Sequence, residues 1–369
     1  EYSRRLVSLP SYPFQRQRYW AQNAEDFITT FATQVQKSNL TVHPLLGQPV
    51  SIANSSSILF QSQISKISPI YLQDHCLGNT PVFPAAAYLE MAIAASSSLY
   101  PENNIQLKNV RIEQPLTLLE NVQKTIQLIL DPENTEFKIF SLNEDKISTL
   151  HAQGNLVITE KYQQKSVNLQ KIKNECYQVL SIAEHYQNCQ EQGLNYGTSF
   201  QGIQKLLFSK GQALGLIKLS DNLQQESKTY QLHPTLLDAS FQVIGAILEQ
   251  KQDLVYLPVG LESLQVYHPL NNLFWSFFEI KQQNSSEIKA DLQLLDESGS
   301  LLAGIKGFTL KAIKHKSLER IFQDSPRKEV TQQLENALYQ ISWQAKSKSE
   351  PTQKLGGNWL IFANSQGIG

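Results

Sequence analysis

The sequence predicts an α+β fold in which two antiparallel sheets, side by side, each wrap one buried helix. Three observations predict it. Residues 84–99 open with a proline and run on through alanine and large apolar side chains with no polar stripe, the mark of a helix buried all round. A second apolar helix opens at His233-Pro234. Strand-like runs punctuated by turn residues surround each helix, so one strand layer, one helix and one meander occur twice.

Residues 9–20 hold two prolines and four aromatics, which suits an extended arm lying on a neighbouring surface rather than a helix. Residues 21–40 are polar. His43-Pro44-Leu45-Leu46-Gly47 turns into strands expected near 50–53, 57–61 and 67–70. A polar loop from Asp74 to Asn79 then carries His75 into the first helix, where Pro84 fits the first turn because its missing N–H has no partner to lose. Strands are expected at 107–115, 124–130, 136–142 and 149–158, with Asp131-Pro132-Glu133-Asn134 as a turn between two of them. The lysine-rich stretch 160–180 reads as a linker with a short helix. The loop Asn195-Tyr196-Gly197-Thr198-Ser199-Phe200 leads to strands at 203–209 and 212–219. The second helix is expected to run from His233 to about residue 249, followed by strands at 256–257, 264–268, 274–280, 288–295 and 301–312. Residues 313–337 are charged and linker-like, and 358–369 read as a strand entering a Gly-x-Gly turn, cut before any helix and therefore no basis for a cofactor.

The chain has 369 residues, room for two domains, and a net charge of −1, so no basic surface for nucleic acid is expected. No apolar run is long enough to span a bilayer and no signal peptide opens the chain. Cys76, Cys176 and Cys189 are too few and scattered for a disulfide framework or a zinc site, which suits a reducing, cytoplasmic setting. Both ends look cut from something longer.

Two side chains stand out as carriers of chemistry. His75 lies just before a buried helix N-terminus, whose unpaired N–H groups and partial positive charge could seat a developing oxyanion; a neutral imidazole is well matched to proton abstraction near neutral pH. Alone, it could equally be an incidental loop histidine. Asp238 could be a helix-dipole partner, yet Leu236, Leu237 and Ala239 around it favour burial, which raises a carboxyl pKa and makes an acid. Gln242, four residues on, shares its helical face and could hold the carboxyl. In a doubled fold, two helix starts could face one cleft and pair His75 with Asp238 as base and acid. Tyr196 could donate to a substrate oxygen or simply pack at a turn, and Gly197 serves backbone geometry. His43 and His233, each before a proline, read as turn formers, His151 as structural, and His185, His268 and His315 as surface residues. No two histidines have ligand spacing for a metal, and no Gly-x-Ser-x-Gly elbow is present.

Taken together, these motifs resemble the dehydratase domain of modular type I polyketide synthases, from about residue 43 to about 312. The matching stretches are His43-Pro44-Leu45-Leu46-Gly47, the His-x-x-x-Gly-x-x-x-x-Pro run from His75 to Pro84, and Gly193-Leu194-Asn195-Tyr196-Gly197-Thr198-Ser199-Phe200. Leu257-Pro258-Val259-Gly260 and the Asp-x-x-x-Gln run from Asp238 to Gln242 complete the set. The departures are Asn79 at the motif glycine (with Gly78 beside it), Leu194 for a tyrosine and Thr198 for a proline. The resemblance implies a double hotdog with these bounds: a post-acyltransferase linker at 1–40, an N-terminal hotdog at 41–165, an inter-hotdog linker at 166–185 and a C-terminal hotdog at 186–315. A linker and the truncated start of a ketoreductase-like region would fill 316–369. It implies dehydration of a 3-hydroxyacyl thioester on an acyl carrier protein to the 2,3-enoyl thioester during chain extension. His75 would be the base at carbon 2 and Asp238 the acid at the leaving hydroxyl. The helix N-terminus near Pro84 would hold the oxyanion. Tyr196, Gln242, Gly78, Asn79 and Gly197 would support them. The substrate would ride on the carrier's phosphopantetheine arm, with no metal or other cofactor. The partners implied are the carrier protein, neighbouring synthase domains in the same polypeptide and a second copy in a homodimer, with no nucleic acid and no membrane. An enoyl double-bond isomerase, a catalytically silent dimerisation scaffold and a hotdog thioesterase are the alternatives.

Overall fold

In the computed structural model, residues 43–52, 55–143, 147–159, 166–248 and 254–314 are described. The expected linker at 1–40, the segment at 316–369 and His315 lie outside them. The first half contains β1 (Gln48–Ser51), β2 (Ile58–Ile64), β3 (His75–Leu77), β4 (Thr80–Pro81), α1 (Ala85–Leu99), β5 (Asn104–Ile112), β6 (Lys124–Asp131), β7 (Glu136–Leu142) and β8 (Ser148–Thr159). The second contains α2 (Leu169–Glu175), β9 (Gln178–Leu180), α3 (Ile182–Glu191), β10 (Leu194–Tyr196), β11 (Ile203–Ser209), β12 (Gln212–Lys218), α4 (Pro234–Gln242), β13 (Leu254–Val266), β14 (Leu273–Gln283), β15 (Glu287–Leu295) and β16 (Leu301–Lys314).

Thirteen strands form one antiparallel sheet in the order β1-β2-β6-β7-β8-β5-β13-β16-β15-β14-β12-β11-β9. The order β2-β6-β7-β8-β5 of the first half recurs as β12-β14-β15-β16-β13 in the second, and each helix follows the matching strand, β2 or β12. The halves meet at β5 and β13, antiparallel, with Leu264 opposite Leu107 and Leu261 opposite Val110. This is the double hotdog.

The strands show the period-2 burial that a sheet with one wet face requires: Ile126, Leu128 and Leu130 of β6 and Phe137 and Ile139 of β7 all point inward. They close on α1, where Ala86, Ala87, Ala92 and Ala95 let backbone approach backbone. Its buried Ser96 and Glu90 are satisfied in place: Ser96 donates to the Ala92 carbonyl at 2.6 Å. The fully buried Glu90 accepts from three N–H groups, at His43 Nε2 (3.0 Å), Gln231 N (2.9 Å) and Leu232 N (2.7 Å). A buried carboxylate without such donors would be very costly.

Several sequence expectations are corrected. Pro69 cannot donate to a ladder, and the segment expected as a strand at 67–70 instead enters a 3₁₀ helix, Ile70–Asp74. The second helix stops at Gln242 and tightens into a 3₁₀ turn, Val243–Ala246, rather than running to 249. His185 is not on the surface: it is buried on α3 against Gly245, and burial pulls its imidazole down to about 4. The stretch read as an inter-half linker supplies the edge strand β9, paired with β11.

Candidate active site

His75 does not sit in a loop. It opens β3, the centre of a separate three-stranded sheet, β10-β3-β4. Three residues pairing with a distant strand leave no local period to read. Tyr196 lies directly opposite His75, Asn195 opposite Cys76 and Leu194 opposite Leu77, so the two motif stretches 75–84 and 193–200 are clamped together by backbone ladders. Gly78 turns β3 into β4 with φ +58°, the left-handed region that favours glycine. Its N–H donates to the Gly193 carbonyl at 2.7 Å, and its carbonyl accepts from Asn195 Nδ2 at 2.6 Å. Asn79 is exposed beside it and is not left-handed. The backbone demand expected at Asn79 is therefore met one residue earlier.

The next bonds set the protonation of His75. Its Nδ1 is 2.8 Å from the Val82 carbonyl oxygen, which can only accept, so Nδ1 carries a ring proton and, in the neutral imidazole, the lone pair lies on Nε2. Nε2 faces Asp238 Oδ1 at 3.7 Å. Phe200 and Tyr196 flank the imidazole, with ring centroids at 5.1 and 5.8 Å.

Asp238 projects from the second turn of α4. The helix is started by Pro234 at its first position and by His233, whose Nδ1 accepts from the Thr235 N–H at 3.3 Å. All nine residues of α4 are buried, Asp238 with them. Burial pushes its carboxyl above the ordinary carboxylate range, against the smaller opposing pulls of His75 and of a hydrogen bond from Gln242. Gln242 Nε2 donates to Asp238 Oδ2 at 2.9 Å and to the Phe200 carbonyl at 3.1 Å, locking the carboxyl to the loop beside His75. Burial first, and then the Asp238 charge, raises the Tyr196 phenol well above its ordinary value, so it remains a donor.

Pro84 is the N-cap of α1 rather than its first helical residue, with extended backbone (φ −71°, ψ 147°). The Val82 and Phe83 N–H groups are taken, by His75 O at 2.9 Å and Leu116 O at 2.8 Å, and Pro84 has none. The next backbone N–H groups at this pole are those of Ala85 and Ala86 in the first turn.

Asp74 escaped the sequence reading. Its carbonyl accepts from Gly197 N at 2.7 Å, and its carboxylate accepts from Ser199 N at 3.0 Å. A Cβ at Gly197 would lie 2.4 Å from Asp74 Cγ, so glycine there permits the contact. The one available signal was adjacency to His75. His151 is structural, as expected: its Nε2 pairs with Ser141 Oγ at 2.7 Å and its Nδ1 with the Gln114 carbonyl at 2.9 Å. His43 and His233 do form turns, each with a further bond to a glutamate. A cleft of about 530 Å³ on the outside of the β5–β13 junction, lined by residues such as Arg111, Lys138 and Glu262, contains neither His75 nor Asp238. Among the described residues no group of three or more His, Cys, Asp or Glu could hold a metal ion, and no helix is long and apolar enough to cross a membrane.

A buried carboxyl with a raised pKa and an imidazole whose Nε2 is left to accept, facing each other, can move a proton off one carbon and onto a group leaving the next. A family model described as "Polyketide synthase dehydratase domain" matches residues 43–142, and one described as "Polyketide synthase dehydratase N-terminal domain" matches residues 164–320. The dehydratase domain from the CurF module of curacin polyketide synthase is 36% identical, with a TM-score of 0.70, covering 74% of this chain and 100% of that one. A dehydratase domain of a trans-AT polyketide synthase from Brevibacillus brevis is 27% identical, with a TM-score of 0.67, covering 74% of this chain and 99% of that one. Polyketide synthase PksM of Bacillus subtilis is 29% identical over 329 residues, 83% of this chain but only 7% of PksM. The chain belongs to the dehydratase domains of polyketide synthases, hydro-lyases that act during chain extension.

Proposed function

We propose that the substrate is a 3-hydroxyacyl chain held as a thioester on the phosphopantetheine arm of an acyl carrier protein, and that His75 and Asp238 remove water from it. The observation that carries this reading is the approach of His75 Nε2, the nitrogen left to accept, to a buried Asp238 carboxyl at 3.7 Å, whose pKa burial raises. Nε2 takes a proton from carbon 2. The electron pair moves through the enolate to expel the 3-hydroxyl, and Asp238 protonates that oxygen so that it leaves as water. The N–H groups of Ala85 and Ala86, at the helix pole after Pro84, stabilise the thioester oxygen as its charge grows. Tyr196 donates to the hydroxyl, Gln242 orients Asp238, and Gly197 and the Gly78-Asn79 turn hold the strands that carry the site. A proton passed from His75 back to Asp238 resets both groups. The route draws on no metal or organic cofactor.

The same reading assigns 1–40 to a post-acyltransferase linker, 41–165 and 186–315 to the two hotdogs, 166–185 to their linker, and 316–369 to a linker and the truncated start of a ketoreductase-like region. It places the enzyme in the cytoplasm as a homodimer. The outer strand β1, with Val50 exposed and Ile52 exposed just past its end, is the edge at which a second copy would pair.

The test is a carrier protein loaded with each enantiomer of a short 3-hydroxyacyl group, treated with this chain and followed by intact mass. Loss of one water from one enantiomer supports the reading. Release of free acid would mean a thioesterase, a shifted double bond on an enoyl substrate an isomerase, and no reaction a silent scaffold.

A further inference from the structure

The base and the acid come from different halves, and 3.7 Å between Nε2 and Oδ1 is too long for a hydrogen bond to hold them together. Their spacing must be set by what ties the segments behind them. His75 is preceded by the 3₁₀ helix Ile70–Asp74, which carries Tyr71. Asp238 is preceded by the strap 230–233, which carries Tyr230. The Tyr71 and Tyr230 hydroxyls are 3.2 Å apart, and both rings are buried. Burial raises both phenols, so both keep their protons and one donates to the other.

The strap is fastened on either side of this bond. His43-Pro44 and His233-Pro234 use the same local device, an imidazole Nδ1 accepting the N–H two residues on, at Leu45 (3.2 Å) and Thr235 (3.3 Å). An accepting Nδ1 leaves the proton on Nε2, and each Nε2 points at a carboxylate: His43 at Glu90 (3.0 Å), His233 at Glu226 (3.4 Å). Glu90 also takes the N–H groups of Gln231 and Leu232. The Tyr230 ring packs on both imidazoles, with centroids 5.0 and 4.5 Å away. On the other side, the Tyr71 ring packs edge-on against Phe200 at 6.2 Å. Phe200 in turn lies against His75, and its carbonyl receives Gln242.

We propose that the Tyr71–Tyr230 hydroxyl pair is a positioning link for the dehydration, joining the segment that delivers His75 to the segment that delivers Asp238 and thereby setting their separation. The proposal rests on the assignment of His75 and Asp238 as base and acid. The hydroxyls, not the rings, carry the effect: phenylalanine at either position keeps the packing and removes the bond. Transition-state geometry suffers more than substrate binding when two reacting groups are displaced.

The test compares Tyr71→Phe, Tyr230→Phe and the double variant with Tyr88→Phe, a buried phenol whose hydroxyl has no partner among the described residues. Steady-state dehydration of a carrier-bound substrate and thermal melting are measured on each. Each single variant is expected to lose roughly tenfold in kcat with KM within about twofold. The double variant is expected to be no worse than the singles, because both remove one bond. Tyr88→Phe is expected to match the wild type. Should one single variant fail to fold, the other removes the same bond and decides the matter. Wild-type kcat in a folded single variant, or an equal loss in Tyr88→Phe, overturns the link. If His75→Ala remains active, the base assignment has failed instead; if His75→Ala is dead while Tyr71→Phe is fully active, only the link has failed.

Discussion

His75 Nε2 and Asp238 Oδ1 stand 3.7 Å apart although one lies on β3 of the first half and the other on α4 of the second. Their environments differ in the sense that the proposed base and acid require. The Val82 carbonyl fixes the proton of His75 on Nδ1 and leaves Nε2 to accept. Burial raises the Asp238 carboxyl, which favours the form that can donate. Each half alone holds one of the two side chains, so the proposed site exists only where the halves are joined.

Asp238→Asn is expected to abolish dehydration yet stabilise the fold at pH values above the folded pKa of the carboxyl. The folded carboxyl titrates above its unfolded value, so its contribution to stability is full below the unfolded pKa and is lost as pH rises through the folded pKa. Asparagine can still accept from Gln242 and has no charge to bury. A gain of about 1 kcal/mol is expected above the folded pKa, vanishing in acid, as relief of a strained active-site group commonly gives. Denaturant melts of both proteins across pH check this.

Gln242→Leu moves the pH profile in a defined direction. The Gln242 hydrogen bond favours the charged carboxylate and so lowers the Asp238 pKa. Removing it raises that pKa further, and the alkaline limb of kcat/KM, where Asp238 loses its proton, shifts to higher pH. The maximum rate falls by roughly tenfold because the carboxyl loses its orientation. A profile that shifts to lower pH contradicts the assignment of Asp238 as the acid.

Gly197→Ala strikes the clamp behind His75. The added methyl meets Asp74 Cγ at 2.4 Å and must displace the side chain that holds Ser199 N. The expected cost is about 1–3 kcal/mol of stability, with a loss of activity larger than that of the fold. Chemical denaturation and initial rates measured on the same preparation separate the two.

The helices and most of the meander were legible because their patterns are local: α1 has no polar stripe, and β6 and β7 alternate residue by residue. Asp238 was legible for a similar reason, an acid set among leucines. What stayed hidden depends on distant partners. His75 belongs to a strand only because β10, far along the chain, pairs with it. Asp74 matters only because Gly197 comes to it. His185 is polar in sequence but closed over by Gly245, and Glu90 looks like a defect in an apolar helix until Gln231, Leu232 and His43 arrive as donors.

The most direct test of the central claim is the dehydration rate of a carrier-bound 3-hydroxyacyl substrate with wild type and with His75→Ala, read by intact mass on proteins of matched fold. The account predicts that wild type removes water from one enantiomer and that His75→Ala is slower by roughly 10²–10⁴-fold, the usual worth of a positioned general base. A folded His75→Ala variant that dehydrates at the wild-type rate would contradict it.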